Sequence, residues 1–489
     1  MSQQTEIPQL DSVGLFRYAW RQLTSMRTAL ILLLLVGLAA IPGSLFPQRT
    51  QNPLQVGDYF RNSPEQARWL DRFYLFDVFG SPWFSAIYIL LFISLIGCVL
   101  TRTIEHFKSA RALPPSTPKN LSRLEHHQSW SVQGDELEIA RKWFKSKRFR
   151  VLETDGAISA EKGFARETGN LFFHLALILI LLGISFSSLF GMRGEAIINV
   201  GERFVNTPTS YDTLIYGKLF NDSDIPAFML TADRFDAQYN LRTSAPEDYT
   251  LDVSLLRDGS TQVEKKVIKV NSPLTIGMTR VYLQANGYAP VVTVRDSKGD
   301  VAFQGPVTFL PQDANLRSIG AIKVPDADPQ IGFLGSFLPT YVRDGEKGGT
   351  SAFPKALDPW LLLSVWTGDL GLDSGVPQSV YRMDTSEMTQ LGLKGLKPGE
   401  TYQYMGGSIT FEGYMQWVNL NFVADPGKHL ALLGGTVAIL GLLVSLFTRR
   451  RRIWIRVGDE VEIAGLAKNA APGLDIEMQE FTKALKGER

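Results

Sequence analysis

Five histidines and one cysteine are the residues of this 489-residue chain best suited to bind a metal or carry redox chemistry. His106, His126 and His127 fall between apolar runs, His174 lies inside one, and His429 opens another. An ionisable side chain inside an apolar span is costly to keep there and is a functional candidate by default. A neutral imidazole is also a common ligand of iron, including haem iron. The competing reading of His174 is an imidazole bonded to a neighbouring helix, and the residues alone leave both open. His126 and His127 are adjacent, so on a helix or a strand they point different ways, and with no other ligand pattern nearby they read as surface histidines. Cys98 has no second cysteine, which excludes an internal disulfide, a CxxC redox pair and a thiolate metal cage. Within its apolar run it reads as a small buried hydrophobe. No GxSxG, Walker A or HExxH pattern is present, so no catalytic residue is assigned. A net charge of +1 and the lack of a basic stripe with interleaved aromatics argue against nucleic-acid binding.

Four runs free of Lys, Arg, Asp and Glu must position these residues: Thr28–Phe46, Trp83–Thr101, Leu171–Phe190 and His429–Phe447. Each is long enough to cross most or all of a hydrocarbon core about 30 Å thick. The first reads as a retained signal-anchor rather than a cleaved leader. Arg17, Arg21 and Arg27 precede the first run, Arg102, Lys108 and Arg111 follow the second, and Arg449–Arg452 follow the fourth. By the positive-inside rule both termini are cytoplasmic, and these arginines are topology determinants. The expected fold is a membrane protein with four transmembrane helices, a large extracytoplasmic mostly-β domain and a small cytoplasmic α/β loop module. Its segments are a cytoplasmic N-terminus 1–27, spans at 28–46, 83–101, 168–190 and 429–448, an outer loop 47–82, a cytoplasmic module 102–167, the β-rich domain 191–428 and a cytoplasmic tail 449–489.

The outer loop predicts a short interfacial helix starting at Ser63–Pro64, with Gln66 in the capping-box position and Trp69, Phe73 and Phe76 along one side. In the cytoplasmic loop, GDELEIARKWFKSKRF predicts an amphipathic helix after Asp135. In the outer domain TLDVSLLRDGS, EKKVIKVNSPL, TRVYLQANGY, APVVTVRDSKGD and GGSITFEGYMQWVNLNFV read as strands, with turns at Asp258-Gly259 and Lys298-Gly299. A sandwich or open barrel is expected. The stretches 343–349 and 368–375 read as loops.

The third span runs outward and the fourth inward, so His174 lies near the cytoplasmic face and His429 near the outer face. Their separation along the membrane normal is roughly 20 Å. Two axial ligands of one iron sit only about 4 Å apart, so these two do not clamp the same haem.

Several ordered segments resemble the ResB (Ccs) family. LTSMRTALILLLLVGLAAIPGSLFPQR looks like its opening, and LFDVFGSPWFSAIYILLFISLIGCVL like its second span. FFHLALILILLG with GMRGEAIINVGE resembles its third span and exit. NSPLTIGMTRVYLQANGYAPVVTVRD is similar to a strand region of its outer domain, and DPGKHLALLGG with SLFTRRRRIWIRV to its last span. The resemblance implies one subunit of the system II cytochrome c synthetase, inactive alone, which helps export haem and attach it to the CxxCH motifs of apocytochrome c. It implies haem b as a transient substrate and His174 as an axial ligand, opposed by a histidine of a ResC/CcsA-type partner. It marks Asp425 as functionally important without giving its role. The remaining expected partners are apocytochrome c, membrane lipid, and a thioredoxin-like thiol reductant with its membrane electron donor. The expected location is a bacterial plasma membrane, or a thylakoid membrane in a plastid. A tryptophan-rich WWD-type segment, expected of ResC, is not found, and His429 is not assigned to haem. Two other readings compete: a membrane scaffold that docks apocytochrome or a reductant without binding haem, and an unrelated transporter, for which no inverted repeat is seen.

Overall fold

The structure, a computed structural model, describes residues 11–124, 126–343, 345, 348–372, 379–467 and 472–487. It divides into two compact units, Met1–Ser185 with Gly427–Arg489, and Phe186–Pro426.

The first unit contains four helices long and apolar enough to cross a membrane: Met26–Leu45, Pro82–Arg111, Ala165–Phe190 and Lys428–Phe447. They are the four predicted spans, but two extend further than hydropathy indicated. The second continues through Arg102–Arg111, so this stretch is helix and not the start of a loop. The third begins at Ala165. Ser25 and Ser81 cap the first two spans by accepting backbone N–H bonds from Thr28 and Phe84. An additional helix, Ser12–Leu23, precedes the first span and is capped by Asp11.

The loop between the first two spans holds two helices, Pro53–Asn62 and Pro64–Arg72. The second is the one predicted. Ser63 is its N-cap residue, but its side chain makes no capping hydrogen bond, so the expected capping box is not formed. Phe76 is instead the buried centre of this loop, against Val56 and Ala67.

The third and fourth spans pack through glycine. A Cβ added at Gly441 would lie 2.7 Å from the Gly169 carbonyl oxygen and from the Phe173 nitrogen. At Gly183 it would lie 2.7 Å from the Ala431 nitrogen. Small residues here let two backbones touch, the packing that apolar surroundings favour because lipid gives no hydrophobic drive between helices.

The predicted α/β module exists, but the tail is part of it. Strands Gln128–Ser131, Glu460–Ala467, Arg451–Val457, Ala157–Lys162 and Arg150–Thr154 form one antiparallel sheet in that spatial order. Helices Glu136–Ser146 and Pro472–Lys486 bury Ala140, Phe144, Met478 and Phe481 against Ile158, Ile453, Ile455 and Ile463. Asp135 caps the first of these helices, as expected. The described residues 449–467 and 472–487 are therefore built into this module, and the strands before the third span and after the fourth lie on one side of any membrane the spans cross.

The arginines after the fourth span are also built in. Arg450 binds Glu161 and, at 2.5 Å, Glu167; Arg452 binds Glu161 at 3.1 Å; Arg451 binds Glu477 at 2.6 Å. The Glu161 side chain is only 4% exposed. Burial pushes its carboxyl up, but hydrogen bonds and charge from Arg450 and Arg452 outweigh this and hold it below the usual carboxylate range.

The second unit is β-rich. Its framework is a pair of long antiparallel strands, Thr279–Arg295 and Gly407–Ala424, with β-bulges between Leu283/Ala285 and Val291/Val292. TRVYLQANGY and APVVTVRD, read as two strands, form one. Phe422, Leu420 and Val281 from one half of this pair bury against Phe228, Leu230, Leu251 and Val253 of the sheet 203–205, 228–239, 246–257 and 263–269. Val292, Val294 and Phe411 from the other half bury against Ile322, Phe333, Phe337 and Leu363 of the sheet 310–311, 318–324, 331–338, 360–367 and 389–396. Alternation of inward and outward residues along each strand makes this possible. The bulges let one strand pair serve two cores, because they turn the local twist. Between the two cores, buried Trp417 donates to the carbonyls of Tyr288 and Phe309, both at 3.1 Å. Gly287 leaves room for its ring, which a Cβ would meet at 2.4 Å. Turns form at the predicted Gly259 and Gly299, and both glycines take the left-handed conformation. Of the two loops read from sequence, positions 344, 346, 347 and 373–378 lie outside the described residues. Arg343 and Gly349 belong to a small strand pair.

Candidate functional site

His174 is half-buried and nine residues into the helix Ala165–Phe190. Its Nδ1 lies 2.8 Å from the Asn170 carbonyl oxygen. A carbonyl only accepts, so Nδ1 carries the proton and donates. In a neutral imidazole this leaves the lone pair on Nε2, the usual arrangement behind a metal-ligating imidazole. This bond runs within its own helix, to the carbonyl one turn back, and not to a neighbouring helix.

His174 lines an open cleft of about 370 Å³ with Val99, Arg102, Glu105, His106, Ser109, Glu167, Asn170 and Leu171. Its walls are the second and third spans. His106, read from sequence as a loop histidine, is thus a helical residue sharing a cleft with His174. Its Nε2 is 3.0 Å from the Thr168 hydroxyl, and its ring stacks on Phe164 at 4.9 Å. Arg450 and Arg150 sit over the same Phe164 ring at 5.3 and 5.5 Å. The C-terminal module therefore reaches the wall of the cleft through Arg450, by its contacts with Phe164 and Glu167.

His429 is exposed at the start of the fourth span. Gly183 packs between Gly427 and Ala431, and Gly441 between Gly169 and Phe173. His429 is therefore level with Gly183, nine residues from His174, or roughly 14 Å at about 1.5 Å per residue. This is shorter than the 20 Å expected, and still several times what two ligands of one iron span.

Asp425 is exposed between the last long strand and the fourth span, and it accepts a short hydrogen bond from the Ser187 hydroxyl. Ser187 lies near the end of the third-span helix, so the contact joins the segment leaving that span to the segment entering the fourth. His126 pairs with Asp475 at 3.0 Å, and His127 lies 3.5 Å from Glu462. Both are half-buried, and they join the loop to the C-terminal segment. Cys98 is free and half-buried. Among the described residues no group of three or more His, Cys, Asp or Glu is arranged to hold a metal ion.

Sequence reasoning missed His106 and Arg102 as cleft residues. The signal was available: Arg102, Glu105, His106 and Ser109 recur at helical spacing directly after the second apolar run.

The "ResB-like family" model matches residues 26–479. Cytochrome c biogenesis protein CcsB of Prochlorococcus marinus (strain NATL1A) is 24% identical over 95% of this chain and 97% of its own. CcsB of Trichormus variabilis (strain ATCC 29413 / PCC 7937) is 24% identical over 95% and 92%, and CcsB of Gloeobacter violaceus (strain ATCC 29082 / PCC 7421) 22% over 96% and 91%. A solved structure, cytochrome c heme lyase CcmF, overlaps 82% of this chain and 46% of its own, with a TM-score of 0.23 and 13% identity, too slight a likeness to carry an argument. Matched by the family model across nearly all of its length, and by curated relatives end to end, the chain belongs to the ResB-like family.

Proposed function

We propose that this chain is the ResB-type subunit of a system II cytochrome c synthetase. It takes haem b as a transient substrate, helps carry it outward, and works with a ResC/CcsA-type subunit that completes the site. In this reading the termini and the α/β module are cytoplasmic, the β-rich domain is extracytoplasmic, and the membrane is a bacterial plasma membrane. The chemistry delivered to apocytochrome c is addition of a CxxCH thiol across a haem vinyl group. One S–C bond forms, and the thiol hydrogen moves to the neighbouring vinyl carbon.

The observation that carries the reading is the His174–Asn170 bond, which engages Nδ1 and leaves Nε2 for coordination in a residue that lines a cleft walled by two spans. The residues present fit an iron porphyrin: one preorganised imidazole nitrogen, apolar Val99 and Leu171, and a polar end. The chain's own contribution is to hold the imidazole in one tautomer and to present one open face to a partner. The test is purification of the full-length chain with its partner, with His174 intact or changed to Ala. Loss or displacement of the haem Soret band on H174A supports the reading; an unchanged band removes His174 from the ligand set.

A second reading, a scaffold that docks apocytochrome or a thiol reductant, is favoured by a groove of about 640 Å³ on the β-rich domain. Ile319, Leu334, Leu362 and Leu393 line it. In that case H174A leaves maturation intact and deletion of 191–425 abolishes it.

A further inference from the structure

The His174 cleft is polar at one end, and that end has the features of an anion site. Arg102, Glu105, His106 and Ser109 share one face of the helix Pro82–Arg111. Glu167, Asn170 and His174 face them from the helix Ala165–Phe190.

Arg102 differs from Arg450 and Arg452, which are held by carboxylates. Among the described residues Arg102 meets none; its guanidinium donates to the Met26 sulfur at 3.2 Å. A thioether is a weak acceptor, so a strong donor fork remains on the cleft wall without an anion. Of the two carboxylates that line the cleft, Glu167 is bound by Arg450 at 2.5 Å. Glu105 lies one turn beyond Arg102 on the same helix face. The Glu167 charge is thus already answered by Arg450, and Arg102 is the cleft-lining arginine left to receive an anion. His106 lies one turn from Arg102 with its ring held by Phe164 and Thr168.

A haem is an apolar disc with a metal at its centre and two carboxylates on one edge. The cleft offers matching features in one space: an imidazole nitrogen for the metal, Val99 and Leu171 for the disc, and an arginine for the edge. Resting on the haem reading above, we propose that Arg102, with His106 beside it, receives the propionate edge of the haem whose iron His174 ligates. The iron is then held by one span and the carboxylates by another, so the orientation of the disc is fixed as well as its position. Arginine suits this task better than lysine because its planar fork bonds a carboxylate bidentately.

The test titrates the full-length chain, co-purified with its partner and stripped of haem, with haemin and with haemin dimethyl ester. The ester keeps the iron and the disc and removes both carboxylate charges. Arg102→Ala is expected to weaken haemin binding about tenfold or more, the loss of one charge-assisted hydrogen bond. It should change ester binding less than about twofold on the same scale. Arg102→Lys should fall between, and His174→Ala should weaken both ligands alike. Arg102→Gln replaces Arg102→Ala if the alanine variant does not fold. Equal losses for haemin and ester on R102A, or no loss for either, overturn the propionate assignment while H174A still reports on the iron. An effect of R102A seen only in vesicles containing anionic lipid makes Arg102 a headgroup anchor and also overturns it. Retention of both ligands by H174A removes the underlying haem reading.

Discussion

Two glycines of one helix should respond oppositely to the same substitution. Gly441 and Gly435 both lie in Lys428–Phe447. A Cβ at Gly435 meets nothing within 4 Å, whereas one at Gly441 meets two backbone atoms at 2.7 Å, about 0.7 Å inside the ordinary contact distance of 3.4 Å. Neither is a side-chain atom that can rotate away, so the third and fourth spans must move apart. Overpacking of this kind costs roughly 1–3 kcal/mol. Gly435→Ala should be neutral or stabilising by about 0.5–1 kcal/mol, because alanine has less freedom to lose in a helix. Both variants gain the same helix propensity, so they should differ by the overpacking cost, about 1–3 kcal/mol. At about 2–4 °C per kcal/mol for a unit of this size, the thermal midpoint of G441A should fall roughly 2–12 °C below that of G435A. The assay is thermal unfolding of the full-length protein in detergent at a fixed scan rate, since membrane-protein unfolding is commonly irreversible. Because Phe173, beside His174, forms part of the contact, haem retention by G441A should also fall if His174 ligates haem as proposed. Equal midpoints for the two variants would refute the close-packed geometry of these spans.

Glu161→Gln removes the buried carboxylate that half-buried Arg450 and Arg452 share and should destabilise the α/β module by about 1–3 kcal/mol, measured as lost hydrogen-exchange protection in strand 451–457. Because the Glu161 carboxyl is held below its ordinary range, its contribution is complete above the unfolded value of about 4.3 and is lost as pH falls through the lowered folded value. The module should therefore loosen on acidification, and E161Q should flatten that acid limb. Ser187→Ala and Asp425→Ala should cost about 1 kcal/mol each and be non-additive in the double variant. If D425A stops cytochrome c maturation while S187A has no effect, Asp425 does more than join the two spans. Trp417→Phe removes the indole donor to the Phe309 carbonyl and one of two donors to the Tyr288 carbonyl, which keeps the Phe309 N–H, and should cost about 1–3 kcal/mol, read by near-ultraviolet circular dichroism of the full-length protein.

The sequence by itself determined the membrane framework. Apolarity over some twenty residues is a local property, and each of the four runs carries it without reference to the rest of the chain. It also picked out His174, because a single imidazole in such a run stands out whatever surrounds it. The strand segments and the glycine turns at 259 and 299 were legible for the same reason: alternation and left-handed turns are properties of a few adjacent residues.

What needed the tertiary structure was every relation between distant segments. Hydropathy marks the end of an apolar run, not the end of a helix, so the ten helical residues after the second span were read as loop and His106 with them. The strands 150–162 and 451–467 pair across nearly three hundred residues, and no local pattern records which strand a β-segment will meet. The arginines after the fourth span read as a charge run because their carboxylate partners, Glu161, Glu167 and Glu477, are brought to them only by folding. His174 was visible as an imidazole in a span. Its free Nε2 depends on a hydrogen bond to Asn170, and its neighbours His106 and Arg102 depend on how two helices are rotated against each other. That rotation is set by packing along their whole lengths, which is why the residue was legible in the sequence and the cleft was not.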